Sequence, residues 1–233
     1  SYASATTTSN THVGIAVNGG LIFNGNTGVA IDTTSNWNYD AMFRNEVGRD
    51  TAGGNPDSNN RYGYVQPSPQ TVGLTEWSTS AHSPIVGWSF DGLPIYGPYG
   101  YTDRLNDSSD IKRLVSSYSL KTNPRDTYAL GVGGNPTGEF IEDYVYDSAT
   151  GDLDEFNGRF GVTPEFPAGT YYYVATISSA GTPAYPYTVA PKFRYAPTDL
   201  ANNIIGVGTF ATAGTENYAL VNKQTVAYTI DTT

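Results

Sequence analysis

The residues of this chain that could do the most chemistry are one imidazole and a scatter of carboxylates. His82 opens the run AHSPIVGWSFDGLPIYGPYGY at residues 81–101, and Asp91 lies further along the same run. Three more acids, Asp152, Asp154 and Glu155, fall together in GDLDEFNG. Oxygen-rich loops suit a hard cation such as calcium, which takes six to eight oxygens at flexible geometry. Asp91, Asp152, Asp154 and Glu155 are therefore a candidate calcium set. The spacing departs from an EF-hand loop, because a start at Asp152 puts Phe156 and Asn157 at the fifth and sixth places. The same acids serve equally well as turn caps that accept backbone amides. His82 with Ser83 and Asp91 is a candidate acid/base group, yet a Ser beside its own His does not make a working pair. The competing use of His82 is to anchor a strand through a carbonyl or a carboxylate such as Glu155. His12 reads as a structural or surface histidine near a strand start.

A second chemistry lies in the rings. With 19 Tyr and 3 Trp, not every hydroxyl can be buried and satisfied. Exposed rings beside amides and carboxylates can hold a sugar, stacking on its apolar face while the polar groups take its hydroxyls. His82, Trp88, Asp91, Tyr96 and Asn157 form the candidate ligand-binding set, and ordinary sheet packing is the competing use of the rings.

These residues need rigid elements to hold them. Val86, Trp88 and Phe90 alternate with Gly87 and Ser89, the period of a half-buried strand, and Asp91-Gly92 is a two-residue hairpin signal. Asp91 is thus predicted at a tight corner. Pro94 and Pro98 cannot donate to a ladder, so the arm after the turn is expected at an edge or in a fixed loop. HVGIAVNGGLIFNG, residues 12–25, reads as a second hairpin turning at Asn18-Gly19-Gly20. In DSSDIKRLVSSYSL, residues 107–120, apolar positions at Ile111, Leu114, Val115 and Tyr118 follow a helical spacing, with Asp107 or Ser108 as cap. That segment is predicted as a short surface helix. Residues 37–47 read as a short helix or irregular arm, and further strands are expected at residues 185–195 and 202–233.

The run at residues 81–101 resembles the central signature of the YHYH-domain family, a HSP tripeptide, a short apolar strand and DG-PIYGPYG. A second block, residues 139–177, is similar to that family's aromatic strand, GDLDECNGR, TPE-P turn and GTYHYH. The resemblance covers roughly residues 12–196. It departs where the family carries Cys and His: Ala52 and Phe156 stand for cysteines, while Gly63, Val65, Tyr172 and Val174 stand for histidines. His pairs two residues apart on a strand share one face, so two such strands could offer four nitrogens to one transition metal. This chain keeps the corners without those ligands. Domains similar to this His-poor form occur in secreted proteins of marine bacteria and in structural proteins of cyanobacterial phages, which implies adhesion or assembly rather than turnover.

Composition sets the outer limits. Charged residues are 15% and the formal charge is −10, which argues against a nucleic-acid partner, since phosphates are held by clustered Lys and Arg. No Cys is present, so disulfides and thiolate metal sites are excluded. No apolar run reaches the length of a membrane helix, and SYASATTTSNT lacks the basic and apolar regions of a signal peptide. The start without Met reads as a piece of a longer chain.

The expectation is a mainly β protein, a single large sandwich or barrel-like domain with long loops and one short helix. Residues 1–11 form a linker or edge segment, 12–196 the domain, and 197–233 a β appendage or the start of a neighbouring module. The expected role is a non-catalytic module of a larger extracellular or virion-surface protein, phage tail or fibre-like. Its expected partners are cell-surface glycans or other surface subunits, with homo-oligomers open, no membrane insertion, and no cofactor beyond calcium. The alternative is a metal-dependent enzyme built on His82, Asp91 and Glu155.

Overall fold

The computed structural model describes residues 6–7, 12–30, 37–43, 48–57, 60–125 and 133–197. Both turn signals in the sequence become hairpins of one mixed eight-stranded sheet. Its strands are β1 (His12–Ala16), β2 (Leu21–Phe23), β3 (Gly54–Pro56), β4 (Tyr62–Tyr64), β5 (Ile85–Ser89), β6 (Pro94–Tyr96), β7 (Gly158–Gly161) and β8 (Thr170–Val174). They lie in the order β7-β8-β6-β5-β1-β2-β4-β3. Every neighbouring pair is antiparallel except β8 with β6 and β2 with β4. The fold is mainly β, as the composition implies.

The sheet has an internal two-fold logic. β1 and β5 meet antiparallel at its centre, where Ile15 faces Trp88, Gly14 faces Ser89 and Ala16 faces Gly87. Outward from that pair, each side shows the same sequence of partners: a hairpin, a parallel strand, then an antiparallel edge strand. One face carries the principal core, with Val13, Ile22, Tyr64, Val86, Ile95 and Tyr173 all but fully buried. The other face carries two separate clusters, one around Tyr96, Leu114, Leu153, Tyr172 and Val174, the other around Phe23, Val65, Tyr185 and Tyr187.

Two sequence expectations are corrected. The arm after Asp91-Gly92 is interior, because β6 lies between β8 and β5. Pro94 is tolerated there as the first residue of its strand. The helix expected at residues 107–120 is absent. Ile111–Arg113 pairs antiparallel with Tyr99–Tyr101, and Tyr118–Leu120 pairs with Tyr144–Tyr146. The cap candidates Asp107 and Ser108 instead lie inside a tight turn closed by Ser109 N–H to the Asn106 carbonyl, next to a turn closed by Asn106 N–H to the Asp103 carbonyl. A helix this short is marginal in water, so partners supplied by neighbouring strands decide the conformation.

Residues 37–47 contain the strand Asn38–Asp40 and a turn at 41–43, with 44–47 outside the described residues. Within 185–195 the one named strand is Lys192–Phe193, which pairs with Thr6–Thr7. The strands expected at residues 202–233 lie outside the described residues. Among the described residues no helix is long and apolar enough to cross a membrane.

Candidate functional site

Strand periodicity sorts the candidate residues onto two faces. Along β8, Tyr171 and Tyr173 join the principal core, while Tyr172 and Val174 join the opposite cluster, as alternation requires. Asp91 belongs to the first face. It is buried, accepts the Tyr173 hydroxyl at 2.7 Å and the Tyr195 amide at 3.2 Å, and takes the Ser89 hydroxyl on its other oxygen. Burial pushes its carboxyl above the ordinary carboxylate range, against those hydrogen bonds.

His82 belongs to the second face. Its ring lies edge-on to Tyr96 at 5.0 Å and to Tyr172 at 5.9 Å, and is tilted against Tyr101 at 5.1 Å. His82 Nδ1 is 2.8 Å from the Ser83 carbonyl. A carbonyl only accepts, so Nδ1 carries the proton and Nε2 presents a lone pair. Among the described residues Nε2 is buried without a hydrogen-bond partner. Burial lowers the imidazole pKa, reinforced by the Arg159 charge and opposed by the Ser83 bond and Glu165. The ring is therefore neutral at pH 7.

His82 lines an open cleft of about 360 Å³, whose other walls include Tyr101, Pro164, Ile111 and the loop Asp107-Ser108-Ser109. Two polar ties hold those walls. Arg159, buried, donates from Nε to the Tyr172 hydroxyl at 2.7 Å and from Nη2 to the Tyr101 carbonyl at 2.9 Å. Tyr96, fully buried, places its hydroxyl 2.7 Å from Glu165 Oε2 and 2.8 Å from Thr163 Oγ1, the residues flanking Pro164. Gly100 lets these side chains approach closely. A Cβ there would stand 2.9 Å from Arg159 Nη2 and 3.4 Å from His82 Nε2.

The remaining candidates are dispersed. Asp152 pairs with Lys112 and accepts the Val115 amide at 2.9 Å. Asp154 accepts the amides of Phe156 and Gly158 and the Tyr171 hydroxyl. The Glu155 side chain is exposed. Among the described residues no three His, Asp or Glu side chains gather as metal ligands would, so the four acids of the calcium set are not brought together. His82, Asp91 and Glu155 do not share one centre, because His82 and Asp91 lie on opposite faces of the sheet. Asn157 is fully buried at φ 64°, its Nδ2 donating to the Val174 and Thr188 carbonyls at 2.9 and 2.7 Å. Trp88 is 40% exposed. Since Ser89 turns to Asp91, Trp88 projects from the other face.

A four-nitrogen centre on the two motif strands is not geometrically available. Between β4 and β8 lie four strands, so five spacings, about 24 Å, separate them. Sequence reasoning also passed over Arg159, Tyr101, Tyr172 as a buried partner, and the Thr163–Glu165 corner. The alternation in YYYV could have placed Tyr172 opposite Tyr171 and Tyr173.

The fold and this site define a mainly β domain with a hydroxyl-lined cleft over one outer face of its sheet. The chain belongs to the YHYH protein family, whose model matches residues 1–189. No curated protein and no solved structure matches it.

Proposed function

We propose that this chain is a non-catalytic binding module of a larger extracellular or virion-surface protein, and that it holds a host-surface glycan in the cleft at His82. The observation that carries this reading is the neutral imidazole in the cleft wall with an unpartnered acceptor nitrogen. Leaving such an atom unsatisfied is costly, and because it is closed to solvent in the free chain, binding requires the cleft wall to give way for a ligand hydroxyl to reach it. Around it stand the groups a polyol needs: the Tyr101 ring, the hydroxyls of Ser80, Ser108 and Ser109, and the Asp107 carboxylate. The nearest cation, Arg159, is already committed to Tyr172 and Tyr101, so the cleft favours a neutral saccharide over an acidic one.

Catalysis is the weaker reading, because among the described residues His82 Nε2 has no hydroxyl bonded to it that it could activate. The test is an array of neutral, sialylated and uronic-acid oligosaccharides probed with the wild type, His82→Phe and Trp88→Ala. Signals on neutral glycans that disappear in His82→Phe support the reading. An array silent for the wild type removes it.

A further inference from the structure

The two halves of the sheet are copies of one unit, and the match extends to individual hydrogen bonds. In the hairpin turns, the Gly19 amide donates to the Ala16 carbonyl and the Gly92 amide to the Ser89 carbonyl, each at 2.9 Å. Across the centre, Val17 N–H reaches the Val86 carbonyl and Phe90 N–H reaches the Val13 carbonyl. Ile22 lies beside Tyr64 as Ile95 lies beside Tyr173. The hydroxyl of Tyr64 meets Asn18 at 2.8 Å, and that of Tyr173 meets Asp91 at 2.7 Å.

The turn before each outer hairpin repeats as well. Asp50 accepts the amides of Ala52 and Gly54 and the hydroxyl of Tyr62. Asp154 accepts those of Phe156, Gly158 and Tyr171. Gly53 and Asn157 hold the same left-handed backbone, φ 81° and 64°. Even the arms correspond, with Ala41 N–H to the Gly25 carbonyl and Leu114 N–H to the Pro98 carbonyl, both 2.8 Å.

Each copy is thus a control for the other. What recurs is what the fold requires, and what differs at matched places has another cause. Phe23 matches Tyr96. From the registers Asn55 with Gly63 and Arg159 with Tyr172, Asn55 matches Arg159 and Gly63 matches Tyr172. The first copy therefore builds the same strands in the same register without a guanidinium or either hydroxyl. Its outer face is closed by Tyr185 and Tyr187 against Phe23 and Val65.

We infer that Arg159, Tyr172 and Tyr96 are positioning residues for the His82 cleft, added to a duplicated scaffold that folds without them. Arg159 ties the Tyr101 wall to β8, Tyr172 receives that tie, and Tyr96 fixes the corner that bears Pro164. His82 is wedged between the two ties. The ligand class rests on the glycan reading above, whereas the placing of His82 does not.

Exchange for the first copy's residues tests this: Arg159→Asn and Tyr96→Phe, with Tyr172→Phe as the mildest change. Three measurements go together, namely thermal unfolding, binding on the neutral oligosaccharide array, and NMR titration of the His82 ring. The expected result is a retained cooperative transition in all three variants and loss of array affinity by about tenfold or more. In Arg159→Asn the His82 titration midpoint also moves upward, as loss of a nearby cation requires.

Unfolding of both Arg159→Asn and Tyr96→Phe overturns the inference, because the network is then scaffold. So do variants that fold yet bind and titrate like the wild type. If the wild type binds nothing on the array, the glycan reading fails alone, and the His82 titration decides whether these residues place it.

Discussion

The Tyr173 hydroxyl donates to Asp91 at 2.7 Å and accepts the Arg194 amide at 2.7 Å, so one phenol links a hairpin corner to the segment that follows the strand Lys192–Phe193. Asp91 is therefore a structural hub. Asp91→Ala removes the acceptor of the Tyr173 hydroxyl and of the Tyr195 amide and leaves the Ser89 hydroxyl its Leu93 carbonyl alone, and is expected to cost about 2–4 kcal/mol. Tyr173→Phe keeps the ring and loses about 1–3 kcal/mol. Urea titration of the two variants checks the order.

Two buried carboxylates give opposite pH dependences. Burial raises the Asp143 carboxyl, but the Arg125 guanidinium, bonded to both its oxygens at 2.6 Å, overcomes that and holds it below the ordinary range. Its stabilisation is present above the unfolded value of about 3.9 and is lost as pH falls through the depressed folded value. Asp91 is raised, so its contribution is complete below about 3.9 and declines as pH rises through the folded value. Thermal unfolding from pH 2.5 to 8 should show Asp143→Asn flattening the acid limb and Asp91→Asn flattening the decline above it. At pH 7 Asp143→Asn is expected to cost about 3–5 kcal/mol, since it leaves Arg125 buried and unpaired.

The sheet centre admits no side chain at Gly14 or Gly87. A Cβ on Gly14 would collide with the Trp88 carbonyl oxygen, and one on Gly87 would lie 2.7 Å from the Ile15 carbonyl oxygen. Backbone yields less readily than a side chain. Gly14→Ala and Gly87→Ala should each destabilise by about 1–3 kcal/mol, and by similar amounts, because the two sites are related by the internal two-fold. Denaturant midpoints measure both.

Gly53 and Asn157 share a backbone conformation but not a load. Gly53→Asn should be nearly neutral, since Asn tolerates the left-handed region. Asn157→Ala loses two carbonyl partners and strains the turn, so about 2–4 kcal/mol is expected. Equal effects at the two positions in equilibrium unfolding would count against this difference in load.

Glycan binding at His82 should weaken in acid. Its lowered pKa keeps Nε2 a lone-pair acceptor at pH 7, and protonation turns that atom into a donor. Affinity for a neutral oligosaccharide is expected to fall as pH drops through the His82 midpoint read by NMR. A flat affinity profile across that midpoint excludes Nε2 as the contact.

Much of this was legible in residue order. The hairpins at Asn18-Gly19 and Asp91-Gly92 announce themselves because a two-residue turn demands particular backbone angles. The role of Asp91 was half visible: its corner could be read, its phenol partner could not, because Tyr173 lies 82 residues away. The false helix at residues 107–120 arose where local spacing and cross-strand pairing disagreed. The internal copy was hard to read because the residues it shares, such as Val13 with Val86, Ile22 with Ile95 and Asp50 with Asp154, are few and scattered, and because the second copy carries a longer connection before its outer hairpin. His82 is legible in residue order, whereas Arg159 takes its meaning only from its two acceptors, the Tyr172 hydroxyl and the Tyr101 carbonyl.

The parallel pairings fix how the polypeptide must assemble in time. Ile22 meets Tyr64 across 42 residues, whereas Ile95 meets Tyr173 across 78. By loop-closure entropy alone the longer span costs only about 0.5 kcal/mol more. Both contacts are remote enough to place this chain among slow, high-contact-order folders. During that delay the unpaired margins of β2 and β6 stand open to pairing with other chains.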